Sequence, residues 1–85
     1  AEDVLLLYVG RVAPEKNLGA LLHAHATLRR ELPGGERLRL AIVGDGPSLN
    51  GLRLRQAPGV ELPGVQVGPA LARWYASADV FAFPS

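Results

Sequence analysis

The sequence predicts an α/β fold built on a parallel sheet, and three observations predict it. Apolar runs of strand length recur at Val4–Val9, Leu38–Val43 and residues 80–83, without the polar alternation of a half-exposed strand. Between the first two runs lies a longer stretch whose leucines fall at helical spacing. The 10 glycines and 7 prolines gather mainly between these segments, at Pro33-Gly34-Gly35, Gly44 to Pro47, Pro58-Gly59, Pro63-Gly64 and Gly68-Pro69. Strands that alternate with helices pair in parallel through right-handed crossovers.

Each element follows in order. Val4–Val9 reads as a strand covered on both faces, ended by Gly10. Residues 17–32 read as a helix, with Leu18, Leu21, Leu22, Leu28 and Leu32 on one stripe and Pro33-Gly34-Gly35 as its stop. His25 lies in line with Leu18, Leu22 and Leu28 and reads as half-buried; His23 reads as exposed. Two positions apart on a helix, they face different ways and cannot share a metal. Leu38–Val43 is a second strand, closed by Gly44-Asp45-Gly46-Pro47. Residues 48–56 form a short helix at most, weakened by Gly51. Residues 60–62 read as a short third strand, residues 71–78 as a third helix and residues 80–83 as a fourth strand. Trp74 and Tyr75 read as core beside Leu71 rather than as a platform for a base. Asp79, at the amino end of the fourth strand, reads as structural.

Composition narrows the function classes. Nine basic residues against eight acidic give no support to a nucleic-acid binder. Without cysteine there is neither a disulfide framework nor a thiolate metal site, and a cytoplasmic setting is expected. No apolar stretch approaches the roughly 18 residues of a membrane span. Residues 1–85 read as a single domain without repeat or linker. The absence of methionine, and the end directly after an apolar run, suggest a part of a larger domain.

Two segments stand at the carboxyl ends of strands, the edge where open α/β sheets bind ligands. In Gly10-Arg11 through Lys16-Asn17, two cations precede a helix whose N-terminus is itself positive. A phosphate between the cations and the helix N–H groups would satisfy all of them; two solvated surface cations is the plainer alternative. In Gly44-Asp45-Gly46-Pro47, the glycines permit close approach of a ligand or make an ordinary tight turn. Leu49 stands where a dinucleotide fingerprint needs glycine, and no G-K-[ST] follows.

Taken together, these segments resemble the C-terminal, donor-binding half of a retaining GT-B glycosyltransferase of glycosyltransferase family 4. The resemblance covers nearly the whole chain. It is carried by Leu7-Tyr8-Val9-Gly10-Arg11-Val12, Glu15-Lys16-Asn17, Val43 through Pro47, Val60 through Gly64, and Tyr75-Ala76-Ser77-Ala78-Asp79-Val80-Phe81-Ala82-Phe83-Pro84-Ser85. It implies a Rossmann-like three-layer arrangement with strand order 3-2-1-4, truncated within the domain. It implies that Arg11 and Lys16, the catalytic candidates, grip the diphosphate of a nucleotide-sugar donor. Gly10, Asn17, Gly44, Asp45 and Gly46 would border that donor, and the stretch from Gln66 to Leu71 would cradle its base. It implies no metal and no cofactor, the nucleotide sugar being substrate.

The resemblance has departures. The family's E-x₇-E segment and its N-terminal acceptor domain are not in these 85 residues. Gly68-Pro69-Ala70 stands where a more polar loop is expected. The implied function is therefore donor binding within a sugar-transferring parent, with the 85 residues inactive alone and the parent cytoplasmic or membrane-peripheral. Apolar surface at the fourth strand would then drive a homodimer or a swapped assembly. The alternatives are a nucleotide-sugar epimerase of the same architecture, a non-catalytic α/β binding module, and a purely self-associating piece. A receiver-like module fits poorly, since Gly10-Arg11 and Pro63-Gly64 stand where it needs carboxylates.

Overall fold

Residues Leu5 to Tyr8 show why the sheet forms as it does. Their side chains alternate between two separate cores: Leu6 and Tyr8 face one, Leu5 and Leu7 the other. A strand buried on both faces must be apolar throughout, as this run is. The computed structural model describes residues 2–84; Ser85, the last residue of the resemblance's F-P-S stretch, lies outside them. The elements run β1 (Val4–Val9), α1 (Leu18–Glu31), β2 (Leu38–Val43), α2 (Leu49–Leu54), β3 (Val60–Gly64), α3 (Gly68–Ser77) and β4 (Val80–Phe81). Short 3₁₀ turns, Pro14–Lys16 and Gly35–Arg37, precede α1 and β2.

All pairings are parallel, in the order β3-β2-β1-β4. This is the three-layer Rossmann-like arrangement the resemblance implies. On one face, Tyr8, Leu40, Ile42, Val60 and Leu62 pack against Leu18 and Leu22 of α1 and Leu49 and Leu52 of α2. On the other, Leu5, Leu7, Ala41 and Val43 lie beneath Leu71 and Trp74 of α3. Leu7, Leu40 and Ile42 are wholly removed from solvent. Each such side chain contributes about 1.5–3 kcal/mol through burial.

Several elements differ from expectation. β4 pairs only at Val80 and Phe81, opposite Leu6 and Leu7, and its last bond runs from the Ala82 N–H to the Leu7 carbonyl at 2.9 Å. Pro84 has no N–H with which to prolong the ladder. β3 continues past Leu62 to Gly64, and its register against β2 slips between Ala41 and Val43. Pro63 falls in that slip, which an edge strand tolerates. α3 starts at Gly68, three residues early, because Pro69 is preset for a first helical turn.

His25 is fully rather than half buried, at 1% exposure. Its Nε2 lies 2.8 Å from the Leu38 carbonyl, so that nitrogen carries the proton and donates. The carbonyl at the start of β2 supplies the partner that lets an imidazole enter the core. Trp74 packs on the sheet as expected, but Tyr75 is exposed and its ring sits 5.9 Å from that of Phe81. Adjacent helical residues point about 100° apart, so only one of the pair can face the sheet. Asp79 is structural: its Oδ2 accepts from the Leu5 N–H at 2.8 Å, and its own N–H donates to the Leu5 carbonyl at 2.9 Å. His23 is exposed.

Candidate functional site

The carboxyl edge of the sheet is held together by backbone bonds that continue the ladder beyond the strands. The Gly10 N–H donates to the Val43 carbonyl, Val12 to Asp45, Ser48 to the Val12 carbonyl and Gly44 to Gly64, each at 3.0 Å. The loops after β1, β2 and β3 are thereby zipped side by side. The glycines of Gly44-Asp45-Gly46 serve this contact. A Cβ on Gly44 would lie 1.8 Å from the Gly10 carbonyl oxygen, and one on Gly46 would lie 2.2 Å from that of Val12. The Asp45 Oδ1 accepts from the Gly46 N–H at 2.7 Å, which fixes the turn.

Arg11 and Lys16 meet at this edge. They line one cleft of about 340 Å³ with Tyr8, Val9, Gly10, Glu15, Phe83 and Pro84. Pro14 opens the intervening 3₁₀ turn, and the Lys16 N–H closes it onto the Ala13 carbonyl at 3.0 Å. Arg11 Nε donates to Glu15 Oε2 at 3.2 Å, a largely exposed pair. The Glu15 carboxyl titrates below its ordinary value, held down first by a hydrogen bond from its own backbone and then by Arg11 and Lys16. Lys16 has no carboxylate within ion-pair distance among the described residues. Among the described residues the cleft therefore presents one paired cation and one without an ion-pair partner, beside Gly10.

A second concavity adjoins the first through Gly10 and Arg11. It is about 310 Å³ and adds Val43, Gly44, Asp45, Val65 and Gln66. Of the residues expected to border a ligand, the structure gathers Gly10, Arg11, Lys16, Gly44, Asp45 and Gln66 around these two connected spaces. Gly46 is turned against Val12. Leu71, on α3, packs onto the core instead.

Asn17 goes elsewhere. Its left-handed conformation, φ 55°, ends the 3₁₀ turn and begins α1, and it lines a separate groove with Leu18, Gly19, Pro47 and Ser48. The first turn of α1 opens on that groove, so the structure parts the helix N-terminus from the two cations. Sequence reasoning did not assign Phe83 and Pro84 to the site, although β4 lies next to β1 and its exit must reach the same edge. Nor did it assign a role to the Tyr8 hydroxyl, which donates to the Arg11 carbonyl at 2.7 Å. Among the described residues no group of His, Cys, Asp or Glu comes together as would hold a metal ion. No helix among them is long and apolar enough to cross a membrane.

A cleft with two cations at the carboxyl edge of a parallel sheet is chemistry for an anion. The model of one protein family, described as glycosyl transferases group 1, matches residues 3–85. The chain belongs to that family. Among similar glycosyltransferases, the D-inositol 3-phosphate glycosyltransferase of Saccharomonospora viridis is 38% identical over 97 residues, covering 100% of this chain and 22% of its own length. The GDP-mannose-dependent alpha-mannosyltransferase of Mycobacterium tuberculosis is 40% identical over 75 residues, covering 87% of this chain and 17% of its own. The alpha-monoglucosyldiacylglycerol synthase of Streptococcus pneumoniae is 34% identical over 82 residues, covering 89% and 18%. The chain thus spans about a fifth of the length of the curated relatives it matches.

Proposed function

We propose that the chain is the donor-binding part of a retaining GT-B glycosyltransferase of family 4, and that Arg11 and Lys16 grip the diphosphate of a nucleotide-sugar donor. The observation that carries this reading is their convergence on one cleft beside Gly10, at the edge where such sheets take ligands. The name of one relative specifies a nucleoside-diphosphate sugar, GDP-mannose. In sugar transfer the bond from the anomeric carbon to the diphosphate oxygen breaks as a bond to an acceptor oxygen forms, and negative charge grows on the departing diphosphate. Fixed cations there stabilise the transition state more than the bound donor. Arg11 can offer a planar, two-pronged contact once it turns from the exposed Glu15, and Lys16 a mobile point charge. The adjoining concavity at Gly44 and Gln66 is where the nucleoside would extend. Acceptor binding and turnover are assigned to the rest of such a protein, working in the cytoplasm.

Titration calorimetry of UDP, GDP and ADP into the protein tests this. The expected result is saturable heat with at least one nucleotide. Arg11→Ala and Lys16→Ala should each weaken it by about 1.5–3 kcal/mol, the range for hydrogen bonds to charged groups. No heat with any of the three, or wild-type affinity in both variants, would overturn the reading.

A further inference from the structure

Arg11 is held from below by Tyr8, whose side chain also forms part of the cleft wall. The neighbours of Arg11, Gly10 and Val12, are pinned to the end of β2 and to the loop after it, through the Val43 and Asp45 carbonyls at 3.0 Å. Arg11 lies between those pins, and among the described residues its carbonyl is bonded by the Tyr8 hydroxyl at 2.7 Å. Tyr8 is 6% exposed, with its ring in the core beside Val12 and Leu18. The phenol passes directly under Gly10, where an added Cβ would lie 2.9 Å from the hydroxyl oxygen and 3.2 Å from the ring carbon that bears it. The glycine therefore makes room for the tyrosine. Burial, and then the Glu15 carboxylate, push the phenol's titration up, so the hydroxyl remains a donor through neutral pH.

We infer that Tyr8 is a positioning residue for the anion grip: by holding the Arg11 carbonyl, its hydroxyl fixes the 10–12 segment so that the arginine side chain is presented to the cleft. The inference rests on the proposed diphosphate reading for its functional consequence. The clamp itself is a property of the fold. A fixed carbonyl anchors the backbone from which a long side chain swings, and thereby reduces the freedom lost when an anion is bound.

The test is a double-mutant cycle with a measurement that needs no ligand. Tyr8→Phe removes one oxygen and keeps the ring, so the core stays filled. If Tyr8 acts through Arg11, Tyr8→Phe weakens nucleoside-diphosphate binding about three- to tenfold in the wild-type background and less than about twofold in Arg11→Ala. Equal losses in both backgrounds, or none in either, overturn the inference. In parallel, the ¹⁵N heteronuclear Overhauser effect of the Arg11 amide should fall in Tyr8→Phe while the amides of β1 and β2 keep theirs. Should the wild-type protein bind none of the nucleotides, the diphosphate reading falls and this second measurement decides the clamp. A drop confined to residues 10–12 supports it, and an unchanged value overturns it.

Discussion

At the scale of single residues, Glu15 shows how local chemistry shapes the cleft. A carboxylate beside two cations at a proposed anion site could act as a competitor for the ligand or as a brace for Arg11, and its titration reports the balance. Its folded value is lowered, so its contribution to stability is present above the unfolded value and is lost as pH falls through the folded one. Because the group is fully exposed, the expected change is small. Carbon-detected titration of the Glu15 carboxyl should give a midpoint below the ordinary 4.5. Arg11→Ala should restore only part of the shift, since the backbone hydrogen bond is the larger cause. A midpoint that Arg11→Ala leaves unchanged would show that the arginine is not engaged with the carboxylate in solution.

At the scale of elements, two glycines make opposite predictions. Gly44 has φ 144° and its absent Cβ would overlap the Gly10 carbonyl, so Gly44→Ala must part the loops after β1 and β2. A loss of about 2–4 kcal/mol in urea unfolding is expected, combining backbone strain with broken loop bonds. Gly51 sits inside α2 with open space where its Cβ would be, so Gly51→Ala should stabilise by about 0.5–1 kcal/mol. A Gly44→Ala variant as stable as wild type would mean that the loops are not zipped. The same elements show what could be read in advance. β1, β2 and α1 are long enough for their apolar spacing to settle their type, parallel pairing follows from their alternation, and the strand order came with the resemblance. The turn Pro14–Lys16 was hidden because three residues have no periodicity, and β4 was overestimated because apolar character does not reveal where pairing stops. The two cations were legible as a pair because β1 ends at Val9 and carries Arg11 to the carboxyl edge of the sheet. Asn17 was not separable from them by spacing, because a single left-handed residue redirected the chain.

For the whole molecule, the two edges of the sheet differ in a way that predicts association. The β3 edge carries Pro63 within its register slip and, at Glu61, a charge paired to Arg39 of β2, both features that discourage strand pairing. The β4 edge has neither. Val80 and Phe81 are exposed on it, Tyr75 lies beside them, and Phe83 is 85% exposed just beyond. A net charge of +1 offers little repulsion between copies. The chain should therefore self-associate through β4, by strand pairing or by apolar contact. Sedimentation equilibrium over a hundredfold range of concentration, roughly micromolar to sub-millimolar, should show a weight-average mass that rises above the monomer. Phe81→Lys places a charge on the edge without touching Arg11 or Lys16, so it should hold the mass at the monomer and leave nucleotide affinity in place. A wild-type chain that stays monomeric throughout would show that the exposed edge is tolerated in water. Association that survives Phe81→Lys would move the contact to another face.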